Sequence, residues 1–290
     1  MRGVILAGGM GTRLNPATAT INKHLIPIYD KPMIYYPLTT LMLAGIKSIT
    51  IVSTPDGILI FEKLFGDGAN WGIEIDYAVQ EKPAGIADGI RIALEKFSQP
   101  ENFLVILGDN IFYGQGLGET ITQNLDTSLC TIWTQEVNNP SEFGIASLDD
   151  VGKIISIEEK PQNSKSNLAI TGLYHFPYDV VDLITSTRKS SRGEFEVTDL
   201  LNLYLDKSRL QLEKYSRGIY WLDAGTFENL NEASQFVRSV QVRQGMLIGS
   251  PEEVAWRMGF ISSLELVRIV SDLPNSDYKQ HLTKISAEVD

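Results

Sequence analysis

Apolar residues along the chain fall into a repeating order. Gly3–Ala7 (GVILA) is a short apolar run ending in glycines, the pattern of a strand buried on both faces. Met33–Ala44 follows Pro32 with apolar residues at helical spacing, so a helix is predicted to start near that proline. Ile49–Val52 reads as a second buried strand, Ile58–Phe65 as a helix and Ile73–Val79 as a strand. Over Ile86–Phe97, residues Ile86, Ile90, Ala93, Leu94 and Phe97 share one helical face. Phe103–Leu107 (FLVIL) is another buried strand, stopped by Gly108. Four apolar strands alternating with helical stretches predict βαβ units. The fold class is therefore α/β: a doubly wound, mainly parallel (Rossmann-like) sheet with helices on both faces and right-handed crossovers.

The rhythm changes after about residue 125. Leu129–Gln135, Gly144–Leu148, Lys153–Glu158 and Ala169–Phe176 read as strands with short polar connections. Val197–Leu205 and Phe227–Val242 read as helices, the second with Leu230, Ala233, Val237 and Val240 in register. The tail holds a further helix start at Pro251, with Glu252 and Glu253 in its first turn. The expected organisation is a core over 1–245, in halves 1–125 and 126–245, with a small helical appendage over 246–290.

Composition narrows the classes. An apolar fraction of 43% over 290 residues excludes disorder, collagen and coiled coil. One cysteine, Cys130, excludes a disulfide framework and Cys-based metal sites, and the three histidines show no ligand spacing. No apolar run approaches a bilayer span, and the apolar start MRGVILAGGMG is too short for a signal peptide, so a cytoplasmic chain without a membrane partner is expected. A net charge of −11 argues against a nucleic-acid partner. It does not exclude a small phosphorylated substrate, because local charge can oppose global charge.

The strongest local signal is Leu6-Ala7-Gly8-Gly9-Met10-Gly11-Thr12-Arg13-Leu14, directly after the first strand. Its glycines permit a sharp turn that brings N–H groups close to an anion, and Arg13 adds a permanent bidentate donor. No Gly-Lys-Ser/Thr follows, so it is not a Walker A loop, and Leu14 stands where the dinucleotide fingerprint needs a third glycine. Read alone, the segment is also compatible with a tight strand-to-helix turn and a surface arginine. Residues 1–29 contain Arg2, Arg13 and Lys23 and no acid, a bare stretch suited to a polyanion in an otherwise acidic chain.

The loop resembles the signature of the sugar-1-phosphate nucleotidyltransferases. Further matches follow in order: Lys23–Pro27 with Tyr29–Met33, Leu107–Asn110, Glu158–Pro161, Thr171–Tyr174, Arg192–Glu194 with Glu196–Asp199, and Trp221–Thr226. Together they span most of the chain, and the closest likeness is to the long-form glucose-1-phosphate thymidylyltransferases. That resemblance implies dTTP and glucose 1-phosphate as substrates, pyrophosphate release and a requirement for Mg²⁺; the alternatives are UTP or another sugar 1-phosphate within the same family, or a non-catalytic nucleotide-sugar sensor that kept the fold.

The implied chemistry sets residue roles. A sugar phosphate is already ionised near neutral pH, so no general base is needed, and catalysis comes from positioning and charge neutralisation. Leu6, Ala7 and Gly8–Arg13, including Gly9, Gly11 and Thr12, are expected to hold the triphosphate, with Arg13 on the leaving group and Lys23 beside it. Asp109 follows a buried strand and Gly108, where open parallel sheets place ligands. Asp109 and Asp223 are the expected Mg²⁺ ligands, although an aspartate before a turn commonly serves as a cap. Lys160 is the expected clamp on the sugar phosphate. Glu159 would accept from sugar hydroxyls, with Gly144, Ile170 and Tyr174 lining the hexose pocket. Gln80 and Gly85 flank a loop whose amide can match N3–H and O4 of thymine or uracil.

Three departures from the family pattern stand out. Met10 and His24 replace a common Ser/Thr and Gln, and Gly85-Ile86-Ala87-Asp88-Gly89 replaces the usual Gly-Leu-Ala-Gln-Ala base loop. Cys130, His175, Trp133 and Trp256 read as core or wall residues. The tail Ser250–Arg257 resembles that of long-form homotetramers, which carry a regulatory site between subunits for a downstream dTDP-sugar. By that resemblance Tyr113, Gly114, Arg217, Gly218 and Arg257 lie at such a site.

Overall fold

The computed structural model describes residues 1–190 and 192–287. The parallel strands of its first half form on the chain's short apolar runs, with β5, which carries Glu74 and Asp76, at the edge of the block. β1 (Arg2–Leu6) leads into a short hairpin, β2 (Pro27–Ile28) and β3 (Lys31–Pro32), and then helix α1 (Tyr35–Leu43). β4 (Ser48–Ser53), α2 (Pro55–Phe65), β5 (Glu74–Val79), α3 (Ile86–Leu94) and β6 (Phe103–Leu107) follow in βαβ order. α2 begins where the sequence supplies both start signals, with Thr54 capping through Gly57 N–H and Pro55 in the first turn. β6, β1, β4 and β5 lie side by side and parallel, β1 pairing with β6 and β4 in unbroken register.

The second half adds β7 (Asn110–Tyr113), α4 (Leu117–Thr122), β8 (Cys130–Glu136), β9 (Gly144–Leu148), β10 (Ile154–Glu159) and β11 (Leu168–Phe176). α5 (Val180–Ile184), α6 (Val197–Asp206), β12 (Leu210–Lys214) and β13 (Tyr220–Asp223) complete it. β11 joins the parallel block antiparallel to β6 and carries β9 and β8 in turn, so the nine-stranded sheet is mixed. It stays parallel where the βαβ pattern is present, as the sequence implies. β11 is buried at all nine positions, because it is central and covered on both faces. Cys130 and Trp133 are core residues of β8, and His175 is buried in β11 with its Nδ1 on Leu129 O at 3.0 Å.

α7 (Phe227–Gln244) precedes three shorter helices, α8 (Pro251–Arg257), α9 (Ser263–Asp272) and α10 (Asp277–Ala287). α8 lies on α1, and Ala255, Ile261, Leu266, Val270, Leu282 and Ile285 join Leu38, Met42 and Trp71 in one apolar cluster. Among the described residues no helix is long and apolar enough to cross a membrane.

Candidate active site

β1 delivers its loop to the carboxyl edge of the parallel strands. Ala7 is pinned there: its N–H donates to Val52 O at 2.8 Å and its carbonyl accepts from Ser53 Oγ at 2.7 Å. Ala7 is thus committed to the scaffold, and the open part of the loop begins at Gly8. Gly11 adopts φ +61, and a Cβ there would stand 2.9 Å from Thr18 Cγ2 and 3.0 Å from Lys23 Cβ. Only glycine lets the loop turn this tightly over Lys23. Arg13 sits in the following one-turn helix, half exposed, with a guanidinium nitrogen 3.9 Å from Glu142.

Two concavities adjoin. One, of about 290 Å³, is lined by Thr12, Arg13, Gly144, Ile170, Tyr174 and Asp223. The other, of about 250 Å³, is lined by Leu6, Gly8, Gly9, Gln80, Gly85 and Arg192. Gly11, Lys23, Asp109, Glu159 and Lys160 border both, so the two are lobes of one cleft with a charged seam. Except for Ala7 and the exposed Met10 within the Gly8–Arg13 loop, every predicted substrate or metal residue borders this cleft.

The two aspartates meet through a small ladder. β7 pairs antiparallel with β13, placing Asp223 opposite Asn110, and Ala224 N–H donates to Asp109 O at 2.9 Å. The Lys23 ammonium hydrogen-bonds Asp109 Oδ2, and Asn110 Nδ2 donates to Oδ1 at 3.0 Å. Asn110 Oδ1 in turn accepts from Trp221 Nε1. Burial pushes the Asp109 carboxyl up, but the Lys23 charge leads the opposing influences and the net shift is downward. Among the described residues Asp223 has no hydrogen-bonded ammonium; burial, then the nearby Asp109 charge, push it up to about 6 against the Lys23 and Arg13 charges. Among the described residues no three His, Cys, Asp or Glu side chains gather as a metal site. A carboxylate pair beside an anion loop nevertheless fits a hard divalent cation, which completes its shell from phosphate oxygens and water.

His24 lies beneath the seam. It is buried, and both its N–H and its Nδ1 meet Asn22 Oδ1, at 2.9 and 3.0 Å. Burial, then the Lys23 charge, lower its pKa to about 4, so the ring is neutral and Nδ1 carries the proton that Asn22 accepts.

At the end of β10, Lys160 takes a left-handed φ of +46, held by its N–H on Phe143 O at 3.0 Å. Its ammonium is 3.8 Å from Glu159 Oε1. Arg192 Nη2 donates to the same oxygen at 2.9 Å and to Glu196 Oε2 at 2.7 Å. Burial raises the Glu159 carboxyl, against the neighbouring Lys160 charge. On the other lobe Gln80 is buried, its Nε2 donating to Asp88 Oδ2 at 2.8 Å and to Gly85 O at 3.4 Å.

Asn110, Phe143, Thr198, Trp221 and Arg192 also line the cleft and were not singled out from sequence. All of them but Phe143 stand inside the motifs that carry the resemblance, and that placement is the only signal for their side chains. Arg2, counted with the basic start, lies at the other end of β1 and pairs with Asp76 at 2.5 Å. Of the regulatory candidates, Tyr113 OH donates to Gln244 Oε1 at 2.7 Å and Gly114 packs on Gly218. Arg257 lies on α8 instead, with Nε on Glu253 at 2.7 Å and its guanidinium over Trp256.

A glycine-rich anion loop at the carboxyl edge of parallel strands, faced by paired aspartates and a second polar lobe, defines the nucleotidyltransferase class. The nucleotidyl transferase family matches residues 2–240. A glucose-1-phosphate thymidylyltransferase of Mycobacterium tuberculosis is 46% identical over 285 residues, 98% of this chain and 99% of its own. The enzyme of that name from Mycolicibacterium smegmatis is 44% identical over the same shares. A solved glucose-1-phosphate thymidylyltransferase of Bacillus anthracis, in complex with a sucrose, superposes with a TM-score of 0.75 at 36% identity, over 82% of this chain and 95% of that one. A UDP-glucose pyrophosphorylase bound to UDP-glucose, at 24% identity and a TM-score of 0.69, shares the fold. The chain belongs to the nucleotidyl transferase family and, within it, to the glucose-1-phosphate thymidylyltransferases.

Proposed function

We propose that the chain condenses glucose 1-phosphate with dTTP to dTDP-glucose and pyrophosphate, by in-line attack of the sugar phosphate on the α-phosphorus. The single observation that carries this reading is the two-lobed cleft whose seam holds Lys23, Asp109, Glu159 and Lys160. The activity named for its near-full-length relatives supports it.

The lobe with Leu6, Gly8, Gly9, Gln80 and Gly85 takes the nucleoside, with Gln80 reading the base edge. Gly8–Arg13 cradle the phosphates through backbone N–H groups, and Arg13, half exposed and only loosely held by Glu142, swings onto the departing pyrophosphate. The other lobe takes the sugar: Glu159 accepts from its hydroxyls, Gly144, Ile170 and Tyr174 line it, and Lys160 grips its phosphate. Asp109 and Asp223 would hold Mg²⁺, whose charge offsets that developing on the five-coordinate phosphorus. Lys23 donates to the α-phosphate once the anion competes with Asp109 for its ammonium. No side chain must take a proton, consistent with a cleft that has no paired nucleophile and base among its described residues.

Residues 246–290 would serve assembly into a homotetramer, with Tyr113, Gly114, Arg217, Gly218 and Arg257 at a site for a downstream dTDP-sugar effector formed between subunits. The chain would work in the cytoplasm.

The test is pyrophosphate release across dTTP, UTP, dCTP, ATP and GTP with several sugar 1-phosphates. Release strongest with dTTP and glucose 1-phosphate is expected, and no release with any pair would sink the proposal. Asp109→Asn is expected to lower kcat by about a hundredfold or more while the fold persists. Full metal-dependent turnover by that variant would remove Asp109 from the metal site.

A further inference from the structure

The amide of Gln80 has one orientation open to it, and a single side chain outside the cleft sets it. Nε2 lies 2.8 Å from Asp88 Oδ2 and 3.4 Å from Gly85 O. Both neighbours are oxygens, and a carboxylate and a carbonyl can only accept. Rotating the amide by half a turn would bring Oε1 against Asp88 Oδ2 at hydrogen-bond distance with no proton between them. The opposite edge of the amide is therefore fixed as an acceptor. Oε1 is directed at Gly8, where a Cβ would stand 2.7 Å away, and Gln80 and Gly8 line the same lobe. Among the described residues Oε1 makes no hydrogen bond of its own and is not one of the sealed, partnerless atoms, so it opens on that lobe. Asp88 is in turn held from behind: its Oδ1 accepts from Arg91 Nη2 at 3.0 Å and Nε at 3.3 Å, from the next turn of α3.

We propose that Asp88 is a positioning residue that locks the Gln80 amide with its carbonyl toward the base, and so selects pyrimidines bearing N3–H over cytosine. The inference rests on the reading of Gln80 as the base-contacting group. Thymine and uracil present an N–H donor at N3, which a fixed carbonyl accepts. Cytosine presents a lone pair at N3, which that carbonyl opposes. A glutamine free to turn would serve both, because its Nε2 could donate to the cytosine nitrogen. Asp88 removes that freedom without touching the substrate, converting an ambidextrous side chain into a one-handed reader.

The experiment measures kcat/KM for dTTP and dCTP, each with glucose 1-phosphate, in the wild type and in Asp88→Ala, Asp88→Asn and Gln80→Ala. Asp88→Ala is expected to lower the dTTP-to-dCTP preference about tenfold or more, through a higher KM for dTTP and a gain on dCTP. Asp88→Asn can offer Gln80 either an acceptor or a donor, so its preference is expected between those of the wild type and Asp88→Ala. It also keeps the side chain's shape should the alanine variant fail to fold. A purely structural role for Asp88 would depress both nucleotides together and leave their ratio intact, which would overturn the proposal. If Gln80→Ala loses the preference while both Asp88 variants keep it, the lock alone is refuted. If Gln80→Ala also keeps it, the base reading at Gln80 itself is refuted, and the lock with it.

Discussion

Lys160 joins two properties in one residue, an ammonium at the seam of the cleft and a left-handed backbone at φ +46. A non-glycine residue in that region carries on the order of 1 kcal/mol of strain, tolerated where the surrounding structure fixes it. Here the fixing contact is the bond from its N–H to Phe143 O. The two properties separate by mutation. Lys160→Ala and Lys160→Gly are both expected to lose affinity for the sugar phosphate. Only the glycine variant should recover stability, by about 1 kcal/mol over the alanine variant in denaturant unfolding. His24 makes a second residue-scale expectation. Burial holds its pKa at about 4, below the usual 6.5, so the folded chain favours the neutral ring. Above pH 6.5 both states are neutral and the residue is silent. As pH falls from 6.5 to about 4, the unfolded chain takes up a proton that the folded chain refuses. That should withdraw on the order of 3 kcal/mol of stability over the window. His24→Gln is expected to flatten this acid limb when unfolding is followed from pH 7 downward, and an unchanged limb would refute the assignment.

At the scale of elements, the cleft is assembled from connections more than from the elements themselves. The base loop between β5 and α3 is stitched to a distant strand-like segment: Phe195 N–H donates to Ala84 O at 2.7 Å and Ala87 N–H to Phe195 O at 3.1 Å. Gly85 sits between these bonds at φ +108, where a Cβ would lie 2.4 Å from Phe195 O. Gly85→Ala is therefore expected to lower stability by about 2 kcal/mol and to raise KM for dTTP more than for the sugar phosphate. Thermal unfolding and steady-state kinetics read the two effects. The same level explains what was legible beforehand. β1, β4 and β6 hold short, mostly buried apolar runs, β5 is marked by Ile73, Ile75, Tyr77 and Val79 at alternate positions, and α3 shows its buried face in its spacing, so these elements could be read directly. β7 and β13 are four residues each and β12 is only partly buried at an edge, so none carries a period long enough to detect. Yet the β7–β13 ladder is what sets Asp223 beside Asp109. The two aspartates were found from motifs; their meeting depends on pairing across more than a hundred residues, which no local pattern encodes. Asp88 was visible only as an unusual residue in the base loop, because its partner Gln80 lies across a turn, just past the end of β5.

Across the whole molecule, the contrast between an acidic chain and a bare basic start resolves into geometry. Arg13 and Lys23 reach the cleft, whereas Arg2 spends its charge on Asp76 at the far end of β1. The C-terminal helices also look different in place. They are small, but they share apolar packing with α1 and with Trp71, and Gly72 approaches them so closely that a Cβ there would stand 2.3 Å from Phe260 O. Deleting 246–290 is accordingly expected to lower the melting temperature by several degrees or more and, on the proposed assembly role, to increase the elution volume in size-exclusion chromatography beyond the loss of mass. An unchanged oligomeric state in a folded deletion variant would count against the assembly role.

That shared packing also bears on how the chain yields to a protease. Gly245, between α7 and the last helices, is exposed and is the natural place for a cut. A cut there would sever the backbone but leave Leu266, Val270 and Leu282 seated among the side chains of the first helix layer. The nicked halves should run as one particle for as long as this packing holds, so that the cut alone does not release the tail.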